Sequence, residues 1–137
     1  MQQKWDELES RAKNYFKMCE LAIASKDQTL IQNALENMHL ALELIMKSMI
    51  AKNGGNYPDF GRKGHDLETL MLCKFQDQNT SILVLAKKQS VHSLFNIGLS
   101  SWSMDCRYIL MENYDDMKAS IEDYKELYRW ISNQLLK

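Results

Sequence analysis

The run from Asn33 to Ile50 (NALENMHLALELIMKSMI) constrains this chain more than any other stretch. Ala34, Leu35, Met38, Ala41, Leu42, Ile45, Met49 and Ile50 recur at helical spacing and make a wide apolar stripe. Such a helix must bury one whole side, so it predicts the central element of a small helical core. Glu36, Glu43 and Lys47 fall off the stripe. Glu43 precedes Lys47 by four residues, the favourable order for a helical ion pair. On periodicity alone that pair reads as solvated, and exposed pairs contribute little.

The rest of the chain supports a helical core of this kind. Its 137 residues suffice for one domain, read as residues 1–137, and not for two. One proline and five glycines leave room for long uninterrupted helices. From Gln2 to about Ala24, the residues Trp5, Leu8, Ala12, Tyr15, Phe16, Cys19, Ala22 and Ile23 form a second stripe. Ser25-Lys26-Asp27 breaks it, with Asp27 the expected N-cap of the central helix. That helix is entered near Gln28 and ends near Ala51 or Lys52.

Asn53 to Gly64 holds four of the five glycines and the proline, and reads as a long loop. A short helix then starts at His65 or Asp66 and ends near Phe75. Asn79 or Thr80 is the expected next cap. Ile82-Leu83-Val84-Leu85-Ala86 fits a helix or a strand by pattern, and the lack of a pairing partner favours helix. The last helix runs from about Tyr114 to Leu135 on Met117, Ile121, Tyr124, Tyr128, Ile131 and Leu135. The expectation is an all-α, antiparallel up-and-down bundle of four main helices and one short one.

Several chemistries are excluded or weakened. Glu36-Asn37-Met38-His39 has the spacing of a di-iron motif, but no second such motif exists. His39, His65 and His92 include no pair four residues apart on one helix, so neither a metal nor another cofactor is expected. His39 reads as a helix-face residue. Asn53-Gly54-Gly55-Asn56 follows a helix and lacks the lysine of a phosphate loop. Cys19, Cys73 and Cys106 form no close pair, which suits reduced thiols. Cys19 sits on a core stripe. Arg107 would favour a thiolate at Cys106, but no base accompanies it. No signal-like or membrane-spanning run occurs, so the expected location is the cytoplasm, away from membranes. The net charge of -1 gives no general attraction to nucleic acid, although Arg62, Lys63, Lys74, Lys87, Lys88 and Arg107 allow a local basic surface.

Three ordered pieces resemble the HEPN family. They are Ala41 to Ile50 with its Glu43 and Lys47, Tyr57-Pro58 followed by Gly64-His65-Asp66-Leu67-Glu68-Thr69-Leu70, and Arg107-Tyr108 ahead of the last helix. The resemblance implies an all-α bundle, usually a homodimer or a subunit of a larger complex. It also implies a setting in prokaryotic defence or toxin–antitoxin systems. Many members are metal-independent endoribonucleases that use an arginine and a histidine with four to six residues between them, and this chain lacks that signature. After Arg107 the corresponding positions are Glu112, Asn113 and Tyr114. No catalytic residue is therefore assigned. Members without the signature are viewed as modules that bind a nucleotide, RNA or a partner protein. The residues expected at such a site are Lys47, Arg62, Lys63, His65, Arg107 and Tyr108, with Glu43 pairing Lys47. The alternatives are a ribonuclease whose His65 meets an arginine in space, and a purely structural subunit of a protein complex.

Overall fold

A computed structural model describes residues 4–58, 66–91 and 114–136. Among them all regular structure is helical. Helix α1 spans Trp5–Ala24, α2 Ile31–Lys52, α3 Leu67–Leu72, α4 Ile82–Lys88 and α5 Tyr114–Leu135. The chain is an all-α bundle, as the apolar periods predict. Three of these helices are long and two short; residues 92–113, the remaining stretch between α4 and α5, lie outside the described residues.

Helix α1 begins three residues later than the Gln2 expected from its stripe, behind Lys4 in extended conformation. It ends where Ser25 Oγ donates to the Ala22 carbonyl, at 2.6 Å, and Lys26 takes a positive φ of 61°. Asp27 then caps as expected, accepting from the Thr29 amide at 3.0 Å and the Thr29 hydroxyl at 2.6 Å. The cap serves a 3-10 turn, Gln28–Leu30, that feeds directly into α2. These two donors hold the Asp27 carboxyl below its ordinary range. The group contributes to stability at neutral pH, and that contribution is lost as pH falls through its lowered folded value.

Helix α2 is central in the strict sense. Every residue from Ala41 to Ile50 is buried. Over that stretch the helix has no solvent face, so other parts of the chain surround it there. Its apolar stripe packs as predicted, with Ala34, Leu35, Met38, Ala41, Leu42, Ile45 and Ile50 fully enclosed and Met49 nearly so. Leu44, Met46, Ser48 and His39 are buried as well.

Side-chain contacts fix the helix directions. Ser48 Oγ on α2 donates to the Trp5 carbonyl at the start of α1, at 2.6 Å. Lys52 Nζ lies 4.8 Å from the Trp5 ring centroid and also donates to the Leu135 carbonyl at the end of α5. Midway along, Phe16 stacks on Tyr128 with centroids 4.5 Å apart and planes 23° apart. Helix α1 is therefore antiparallel to both α2 and α5, and those two run in the same direction.

Candidate binding site

Lys47 Nζ lies 3.1 Å from Glu43 Oε2. Their side chains are only 8% and 4% exposed. This corrects the expectation of a solvated pair. Between Ala41 and Ile50 the off-stripe side of α2 is covered as well, so one helical turn carries opposite charges inside the protein. Burial removes water from both ions, and their attraction in a low dielectric offsets part of that loss.

One cover of the pair is Tyr57, whose ring centroid lies 5.4 Å from Lys47 Nζ. The ring face is electron-rich and suits an ammonium ion. Tyr57 itself is buried. It reaches this position through a defined helix end. The Gly54 amide bonds to the Ala51 carbonyl at 3.1 Å and the Gly55 amide to the Ile50 carbonyl at 2.9 Å. That is the paired bonding of a Schellman motif, with Gly54 at φ +74° as the left-handed residue. Gly55 meets a different constraint, since a Cβ there would lie 2.5 Å from the Lys74 carbonyl oxygen and 2.9 Å from Ile50 Cγ2. A side chain at either glycine would thus redirect the backbone that delivers Tyr57.

Of the expected ligand-contacting residues, the structure places Lys47. Arg62, Lys63, His65, Arg107 and Tyr108 lie outside the described residues, as do Cys106 and His92. The sequence presents Tyr57 only as part of a motif, and the structure sets its ring over Lys47. Its signal was an aromatic residue shortly after a Gly-Gly helix stop. The short helix after the loop is capped by Asp66, which settles the choice between Asp66 and His65. Asp66 accepts from the Glu68 amide at 3.1 Å and from the Thr69 hydroxyl at 3.0 Å. Asp66→Ala is expected to cost about 1 kcal/mol, measured as a lowered urea midpoint with an unchanged m-value.

The next cap differs from expectation. Asp77 accepts from the Asn79 amide, the Thr80 amide and the Thr80 hydroxyl, at 3.0, 2.9 and 2.6 Å. Both expected caps are thereby engaged in the preceding turn. Ser81 caps α4 instead, accepting from the Val84 amide at 3.2 Å. Asn53, Phe75, Gln76 and Asp77 line an open hollow of about 400 Å³ beside this turn. A second hollow, of about 320 Å³, lies on α1 between Arg11, Asn14, Tyr15 and Met18. Neither is lined by Lys47.

Among the described residues, both free cysteines are held as thiols by burial. Burial pushes the Cys19 thiol up to about 11 against the opposing pull of Lys125. Burial also raises Cys73. Both thiols are poor nucleophiles at neutral pH. Among the described residues no group of three or more His, Cys, Asp or Glu could hold a metal ion. No described helix is long and apolar enough to cross a membrane.

Tyr128 is pushed up to about 12, first by burial and then by Glu9. Its buried hydroxyl has no hydrogen-bond partner among the described residues. A buried acid whose folded value is raised is held in its neutral form. Above about 10 the tyrosine of the unfolded chain ionises while the folded one does not, so stability falls as pH rises toward about 12. Tyr128→Phe removes the unpartnered hydroxyl and keeps the stack on Phe16. It is expected to raise stability by about 1 kcal/mol at neutral pH and to flatten the loss between pH 10 and 12. Urea melts across that range check both.

Comparison with family models, with curated proteins and with solved structures yields no match to this chain.

Proposed function

We propose that this chain is a non-catalytic, HEPN-like binding module whose ligand is a nucleotide, an RNA or a partner protein. The observation that carries the reading is the buried Glu43–Lys47 pair on the central helix, set under Tyr57. Stability alone does not call for such a pair, because apolar side chains of similar volume serve a core at least as well. A charged turn kept inside an all-α bundle, at the position where the sequence resembles HEPN helices, is consistent with a wall that supports a site. Tyr57-Pro58 leads straight into the sequence that carries Arg62, Lys63 and His65. That basic composition favours phosphate-bearing ligands among the three classes.

The test is a titration of the purified chain with nucleotides and with single-stranded and structured RNA, followed by thermal shift and fluorescence anisotropy. A ligand held only by the folded state, at a hundred times its Kd, adds about 2.7 kcal/mol of stability. The Arg62→Glu/Lys63→Glu double variant is expected to keep the ligand-free melting temperature and lose most of the ligand-dependent rise. RNA cleavage that disappears in His65→Ala would replace this reading with a ribonuclease. No response to any nucleotide or RNA would leave only a protein-binding role, which light scattering of the chain with its captured partner reads directly.

A further inference from the structure

We draw no further inference here: the strongest candidate, the open hollow on the outer face of α1 lined by Arg11, Asn14, Tyr15 and the half-exposed Met18, is a helix face for which nothing in the structure shows what covers it.

Discussion

Glu43→Leu is expected to destabilise the chain by about 3–5 kcal/mol. The substitution takes away the carboxylate 3.1 Å from Lys47 Nζ and leaves the ammonium in a site that is 8% exposed. An ion deprived of its neighbour there must draw in water or force its surroundings to rearrange, and both cost folding free energy. Lys47→Met takes the ammonium away from the buried carboxylate and is expected to destabilise as well. The double variant Glu43→Leu/Lys47→Met behaves differently, because it removes both desolvation terms together. It is expected to recover the loss, ending near the parent or above it by about 1–4 kcal/mol. Urea unfolding of all four proteins completes a double-mutant cycle with a large coupling energy. A loss below about 1 kcal/mol in Glu43→Leu would place the pair among ordinary surface pairs and contradict the burial. The double variant also separates stability from function. It is expected to fold at least as well as the parent while binding the proposed ligand more weakly.

The second large effect lies one residue away. Leu42 is fully enclosed on the central helix. Leu42→Ala is expected to cost about 2–5 kcal/mol, the sum of lost transfer free energy and the cavity that remains. The upper part of that range applies where neighbours cannot collapse inward. Here Ala41, Glu43 and Ile45 are themselves buried on the same rigid helix. Met18→Ala on the outer face of α1 provides the contrast. Met18 is 50% exposed, and its truncation is expected to stay within about 0.5 kcal/mol. Equal effects at the two positions would show that α2 is not the element on which the core is built.

Periodicity carried the fold reading well wherever a helix has both an inside and an outside. Leu8, Ala12 and Cys19 on α1 and Ile121, Tyr124 and Ile131 on α5 are buried at the positions their spacing predicts. It failed for Glu43 and Lys47, because a stripe identifies the most apolar side of a helix and says nothing about whether another element covers the opposite side. The caps show a similar limit. Asp27 and Asp66 were legible, since each is an acidic residue just ahead of a helix. Ser81 was not, because Asp77 engages Asn79 and Thr80 through hydrogen bonds that only the folded turn defines. In the candidate site, the spacing of Glu43 and Lys47 was readable and their enclosure was not. Tyr57 reaches Lys47 only after the chain reverses at Gly54 and Gly55, a route that no local pattern encodes.

The contacts of Lys52 have a practical consequence for assay design. Trp5 and the Leu135 carbonyl both meet this one side chain, so both extremities of the bundle circuit emerge together, little more than one helical turn from Lys47. An affinity tag or fluorophore joined ahead of Trp5 or behind Leu135 would stand beside the proposed site. The exposed turn at Ser25, Lys26 and Asp27 lies at the opposite pole of α1. A reporter attached at Lys26 leaves the Lys47 end unobstructed, and that is where a label for the ligand titrations belongs.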